Sequence, residues 1–274
     1  MPKPQFSPRI QQFMQLKFER KIVCLTAYTA PMAAALDPHC DLLLVGDSLA
    51  MTIYGLATTR DIDLDTMIRH GAAVNRRAKN ALVIVDLPAG TYEADPETAT
   101  IAAQRMIAET GADGVKLEGG VDLASHVTAI TEAGIPVMGH IGLLPQQAQS
   151  ISDFRITGRT GDEARQLRLD MDALVTAGAF SIVLEGVIES VARDLATQCA
   201  VPTIGIGASG ACDGQILVSD DMLGMFDSYV PKFVQKFADM QTVISEATRE
   251  YRDAVIDQTF PSNDNLYRAK SEVE

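Results

Sequence analysis

The chain has 274 residues, 47% of them hydrophobic and 22% charged, which is the make-up of a globular protein able to bury a sizeable core. Its 23 basic residues against 36 acidic ones leave a net charge of −13, which excludes the cationic surface that nucleic-acid binding requires. The four cysteines (Cys24, Cys40, Cys199 and Cys212) show no CxxC spacing, so neither a disulfide framework nor a zinc site is expected.

In chain order, MPKPQFSPRIQQF lacks the apolar stretch of a secretory signal, and residues 1–20 read as a helical lead-in. No run of 18 apolar residues follows, so a cytoplasmic protein without a membrane partner is expected. Short β-branched runs then alternate with helical patterns. The runs are IVCLTAY (22–28), LLLVGD (42–47), LVIVDLP (82–88), GVKLEGG (114–120), IPVMGHIG (135–142), SIVLEGV (181–187) and VPTIGIG (201–207). They are mostly apolar on both faces, as strands covered on both sides must be. Arg76, Arg77 and Lys79 read as a helix C-terminus, where cations suit the dipole. In DPETATIAAQRMIAETG, Asp95 is a natural N-cap, Pro96 suits the first helical position and Gly111 ends the helix. Thr160 and Glu163 spell a capping box ahead of ARQLRLDMDALVTAG. Seven β–α alternations are legible, and an eighth strand is expected near Met225–Val230. Eight such units over about 250 residues predict a single-domain (β/α)8 TIM barrel. Its core would span about 20–235, with a C-terminal helix and tail over 236–274. A doubly wound open sheet is the alternative.

The run VKLEGG (115–120) places a lysine and a glutamate two apart, hence on one face of a strand, with Val115 and Leu117 on the other. Other runs end in the same manner: Tyr28, Asp47 with Ser48, Asp86, His140 and Glu185. In a barrel these strand ends converge on one mouth, where active sites lie. A single buried carboxylate is commonly a structural ion pair. Six strands ending in polar groups point to a site, because each desolvated charge costs several kcal/mol unless it is paired or binds an ion.

Three carboxylates near one point, Asp47, Asp86 and Glu118, repel one another unless a cation balances them. Oxygen ligands without cysteine suit a hard cation, Mg²⁺ completed by water and substrate oxygens. Lys116 offers a positive charge for a substrate carboxylate or a developing enolate, and Glu185 is a candidate base or an exposed loop carboxylate. His140, between glycines in GHIG, is a ligand, a donor to substrate or a core imidazole; His39, His70 and His126 fall in loop or helix contexts and carry no assigned role. The stretch 205–210 (GIGASG) spells GxGxxG but precedes ACDGQILVSDD, a poor helix start. A glycine-rich loop near the mouth is expected there, not a dinucleotide fingerprint.

With these residues assembled, the chain resembles the ketopantoate hydroxymethyltransferase (3-methyl-2-oxobutanoate hydroxymethyltransferase) family from about Ile22 to Phe237. The carriers are LTAY (25–28), LLVGDSLAM (43–51), VDLP (85–88), VKLEGG (115–120), PVMGHIGLLPQ (136–146), LEGV (184–187), PTIGIGASGACDGQILV (202–218) and VPKF (230–233). The resemblance implies a (β/α)8 barrel, commonly decameric, that makes 2-dehydropantoate (ketopantoate) for pantothenate and coenzyme A synthesis. It implies 3-methyl-2-oxobutanoate and 5,10-methylenetetrahydrofolate as substrates. It further implies Asp47, Asp86 and Glu118 at Mg²⁺, Asp47, Ser48, Asp86 and Lys116 on the oxo-acid, and Glu185 as proton acceptor; we add His140 to the expected substrate contacts. The chain departs from the family pattern at Leu144, Thr29, Ala89 and Ala211-Cys212. None is a metal, lysine or base position. The alternatives are a Mg²⁺-dependent lyase or mutase of the phosphoenolpyruvate mutase and isocitrate lyase type, whose KKCGH-like cysteine loop is absent here, or a non-catalytic barrel that binds an oxo-acid.

Overall fold

The computed structural model describes residues 6–226 and 230–268. Eight parallel strands close into a barrel in sequence order, from β1 to β8: Ile22–Thr26, Leu42–Val45, Leu82–Asp86, Gly114–Glu118, Val137–Gly142, Ser181–Glu185, Thr203–Ile206 and Gly214–Leu217. The ring shuts where Cys24 pairs with Ile216. The helices, α1 to α10, are Pro8–Gln15, Ala30–Leu36, Leu49–Thr52, Leu64–Asn75, Pro96–Thr110, Ala124–Glu132, Gly161–Thr176, Glu189–Gln198, Ser219–Leu223 and Met240–Ile256. The chain falls into two compact units, residues 1–219 with the barrel and residues 220–274 with α10. Among the described residues, no helix is long and apolar enough to cross a membrane.

Local chemistry sets the helix ends. Asp95 accepts from the Thr98 amide at 2.8 Å, Pro96 opens α5, and Gly111 closes it with φ of 70°, a left-handed turn that costs glycine little. Thr160 caps α7 through the Glu163 amide, but the Glu163 carboxylate accepts from the Arg159 amide, one residue past the Thr160 amide that the expected reciprocal box would use.

The strands' period of two sorts the apolar side chains into two cores. Leu43, Val45, Val83, Val85, Val115, Leu117, Val137, Ile182 and Leu184 face outward and pack with the surrounding helices. Leu42, Leu44, Leu82, Ile84, Met138, Val183, Ile204 and Ile216 fill the barrel interior. Helix α1 closes the lower end of that interior with Ile10 and Phe13, the latter edge-on to Phe180 at 5.9 Å. Continuing up the same inward face, Leu82 and Ile84 lead to Asp86, Met138 leads to His140, and Val183 leads to Glu185. The interior changes from hydrocarbon to charge within one step of the pleat.

The eighth strand is Gly214–Leu217, not the 225–230 stretch expected from sequence. Met225 and Phe226 are not in a strand, and residues 227–229 lie outside the described residues. The GQIL run is short, and its glycine hides the pattern. A Cβ at Gly214 would sit 2.7 Å from both Ile22 and Ile204, so only glycine lets the barrel close here. The GIGASG stretch leads from β7 through a loop into β8 rather than into a helix.

Candidate active site

The strand register brings the predicted polar residues together at the C-terminal mouth. Asp86 pairs with Lys116, Glu118 with His140 and Gly142 with Glu185, one strand to the next. Asp47 and Ser48 follow β2 on the turn into α3. Asp47, Asp86, Lys116, Glu118 and His140 are all buried. Glu185, with a side chain 19% exposed, is the member of the ionic chain most open to an arriving molecule.

The contacts run in sequence across the mouth. Asp86 Oδ2 accepts from the Asp47 amide at 3.0 Å, and Oδ1 lies 3.1 Å from Lys116 Nζ. Lys116 Nζ is 3.4 Å from His140 Nδ1, which also faces Glu118 Oε1 at 3.4 Å. On its far side, His140 Nε2 lies 3.2 Å from Glu185 Oε2. Two of these approaches are close but off-axis: Asp86 Oδ1 and His140 Nε2 are buried without an aligned hydrogen bond.

Ionisation follows from this crowding. Burial, then the charges of Asp86 and Glu118, push the Asp47 carboxyl up to about 8. Burial also raises Asp86, against the pull of Lys116. Glu118 goes the other way, because His140, Lys116 and the Gln146 amide outweigh its burial. Burial opposes the Lys116 charge, yet Asp86, Glu118 and Asp47 together raise its pKa, so it stays an ammonium. Burial and Lys116 disfavour the His140 imidazolium, but Glu118 and Glu185 prevail and lift it to about 9.

Two contributors were not assigned from sequence. Gln146, buried in the turn after β5, donates from Nε2 to Asp47 Oδ2 at 2.8 Å and to the Leu87 carbonyl at 3.0 Å. Its backbone amide donates to Glu118 Oε2 at 3.0 Å. Tyr92, in the loop after β3, donates its hydroxyl to Gln146 Oε1 at 2.6 Å, which turns the amide so that its NH₂ faces Asp47. Neither side chain is charged at neutral pH, so neither signals itself in a pattern of strand-end charges. Tyr28 and Ser48 share a hydroxyl contact of 2.8 Å at the same mouth.

Both Glu118 oxygens are therefore engaged, one beside His140 and one on Gln146. Among the described residues, no three or more His, Cys, Asp or Glu side chains are arranged to grip one ion together.

Comparison with known proteins identifies the family. Residues 7–263 match the family described as ketopantoate hydroxymethyltransferase. Proteins named 3-methyl-2-oxobutanoate hydroxymethyltransferase from Agrobacterium fabrum and Mesorhizobium japonicum are 51% and 53% identical to this chain. The first alignment covers 93% of this chain and 92% of the relative, the second 90% and 86%. Among solved structures, 2,3-dimethylmalate lyase of the PEP mutase/isocitrate lyase superfamily aligns with a TM-score of 0.59 at 15% identity, over 95% of this chain and 92% of that one. Phosphoenolpyruvate phosphomutase from Streptomyces platensis subsp. rosaceus gives 0.60 at 12%, over 94% and 92%. At such identities these structures share the fold alone, whereas the sequence relatives share half of all residues over nearly the whole length. This chain belongs to the ketopantoate hydroxymethyltransferase family.

Proposed function

We propose that the protein transfers a hydroxymethyl group from 5,10-methylenetetrahydrofolate to 3-methyl-2-oxobutanoate, giving 2-dehydropantoate and tetrahydrofolate for pantothenate and coenzyme A synthesis. The observation that carries this reading is the buried ionic chain from Asp47 to Glu185, which ends in one carboxylate open to the mouth. The relatives' names supply the oxo-acid and the group transferred, and the folate donor is what the family resemblance implies. A cytoplasmic homo-oligomer, a decamer in the family pattern, belongs to the same proposal.

A divalent cation fits the residues present. Asp86 Oδ1 is buried without an aligned donor, and Asp47 is driven toward its neutral form by neighbouring carboxylates; a hard cation relieves both. Asp47 and Asp86 would hold Mg²⁺, with Glu118 acting from the outer sphere through Gln146 and His140. When bound, the ion supplies Lewis-acid polarisation of a chelating 2-oxo acid, which acidifies its C3–H bond.

The remaining work falls to side chains. The Lys116 ammonium balances the negative charge that develops on the oxo-acid as C3 loses its proton. Ser48, tied to Tyr28, contributes a hydroxyl at the carboxylate end. Glu185 takes the C3 proton. His140 Nε2, 3.2 Å from the Glu185 carboxylate, gives the base a cationic neighbour before substrate arrives. Water breaks both carbon–nitrogen bonds of the donor's methylene carbon, its two hydrogens going to the nitrogens and its oxygen to the carbon. The C3 carbanion then forms a bond to that carbon, and the resulting alkoxide takes up the proton that C3 lost.

The test is hydrogen exchange. With Mg²⁺ in D₂O and no folate, the enzyme should exchange the C3 hydrogen of 3-methyl-2-oxobutanoate, and excess EDTA should abolish the exchange. Glu185→Gln keeps the shape without the basic oxygen, so exchange and turnover should fall together by about 10²–10⁴-fold. Wild-type exchange in Glu185→Gln would remove Glu185 from the role of base.

A further inference from the structure

His70 stands outside the ionic chain, half-buried on α4, and both of its ring nitrogens are engaged. Nδ1 lies 2.6 Å from the Tyr28 carbonyl oxygen, and Nε2 lies 3.0 Å from the Tyr54 hydroxyl. A carbonyl oxygen only accepts, so Nδ1 carries a hydrogen. Nε2 accepts from Tyr54 when the ring is neutral and donates to it when the ring is charged, so both contacts hold in either state. The Tyr54 ring meets the imidazole edge-on at 5.8 Å, which limits its rotation.

The two partners belong to the two segments that meet at Ser48. Tyr28 lies two residues past β1, and its buried hydroxyl is 2.8 Å from Ser48 Oγ. Tyr54 lies just past α3, the short helix that begins directly after Ser48, and the Ile53 and Tyr54 amides both donate to the Leu49 carbonyl. One imidazole therefore fastens the backbone of Tyr28 and the far end of the turn that carries Ser48. The Tyr28 ring is a rigid lever, so any rotation of its backbone is passed to its hydroxyl. Space for Ser48 is set from a third direction, because a Cβ on Gly46 would stand 2.8 Å from Ser48 Oγ.

Building on the assignment of Ser48 to the oxo-acid carboxylate made above, we propose that His70 is a positioning residue for that substrate. It holds the Tyr28 carbonyl, which fixes the Tyr28 hydroxyl and through it the Ser48 hydroxyl. His70 itself touches no reacting atom, so its effect falls on the oxo-acid and not on the folate donor.

Amide side chains separate its two contacts. In His70→Asn the amide nitrogen stands in for Nδ1 and keeps the donor to Tyr28; in His70→Gln it stands in for Nε2, and that donor is lost. His70→Gln should raise the oxo-acid KM, and weaken oxo-acid binding measured by calorimetry with Mg²⁺, by about tenfold, the lower end for a lost hydrogen bond to a charged group. The folate KM should stay near wild type, and His70→Asn should stay within about threefold of wild type for both substrates. A merely structural role would separate neither the two substrates nor the two amides. In a Ser48→Ala background, His70→Gln should add little, because its route to the substrate is already cut. Wild-type oxo-acid affinity in His70→Gln, equal losses in the two amide variants, or an undiminished effect in Ser48→Ala would each overturn the proposal while leaving the oxo-acid assignment of Ser48 in place. Unchanged oxo-acid affinity in Ser48→Ala itself would remove that assignment and this proposal with it. Should His70→Gln fail to fold, Tyr28→Phe deletes only the hydroxyl that touches Ser48 and should bring the same selective loss. Wild-type oxo-acid affinity in Tyr28→Phe would break the path and overturn the proposal.

Discussion

His140 offers the sharpest test of the electrostatics, because its charge is set by buried neighbours on every side. Lys116, Glu118 and Glu185 face it directly, Asp47 and Asp86 belong to the same buried cluster, and the balance lifts its pKa from 6.5 to about 9 in the folded protein. The folded state therefore binds a proton more tightly than the unfolded chain. Below pH 6.5 both states are protonated and the stabilisation is fully present; as pH rises to about 9 it is lost. The rise corresponds to on the order of 3 kcal/mol. Asp47 adds in the same direction from its ordinary range up to about 8, because its folded form also retains a proton that the unfolded chain releases. Urea unfolding in EDTA at several pH values between 6 and 9.5 should show stability falling with pH, and His140→Gln should flatten that slope. Adding Mg²⁺ should offset the Asp47 part, since the cation favours its ionised form. The variant comparison also removes the contribution of overall negative charge. Identical slopes in wild type and His140→Gln would refute a protonated His140.

Lys116→Met should raise the KM for the oxo-acid and lower kcat, since losing a charge-assisted hydrogen bond costs roughly 1.5–3 kcal/mol in kcat/KM. An unchanged oxo-acid KM would move Lys116 away from that substrate. Gln146→Leu removes the N–H that holds Asp47 Oδ2 at 2.8 Å, so Mn²⁺ affinity read by electron paramagnetic resonance should fall about 10–100-fold, the scale for groups that orient ligands. Wild-type affinity in that variant would make Gln146 a packing residue only.

Much of this site was legible because charge is conspicuous on an apolar strand. Lys116 and Glu118 stand two apart in a fully buried run, and Asp86, His140 and Glu185 each follow apolar inward-facing residues. Period-two geometry alone placed them on the inner face, and barrel topology placed them at one end. Gln146 and Tyr92 escaped because their work is to bond other polar groups, and an uncharged residue in a loop looks like any loop residue. Strand β8 escaped for a related reason: its glycine is dictated by the approach of Ile22 and Ile204, far away in sequence. The partners of Glu118 were likewise hidden: one oxygen lies beside His140 and the other accepts from the Gln146 amide, contacts that only the fold of the loop after β5 supplies.

The raised pKa values of Asp47 and His140 have a common origin. Among the described residues, four carboxylates, Asp47, Asp86, Glu118 and Glu185, meet one ammonium and one imidazole at the mouth, and all of these groups but Glu185 are buried. Protons drawn onto Asp47 and His140 reduce the excess of negative charge. A divalent cation between Asp47 and Asp86 would supply the same balance while leaving Asp47 ionised, and it would let an anionic oxo-acid enter a site that otherwise repels it. The arrangement thus couples metal, substrate charge and the readiness of Glu185. Glu185, the proposed base, sits at the exposed end of the ionic chain, and its neighbour His140 is charged to a degree that the inner carboxylates decide.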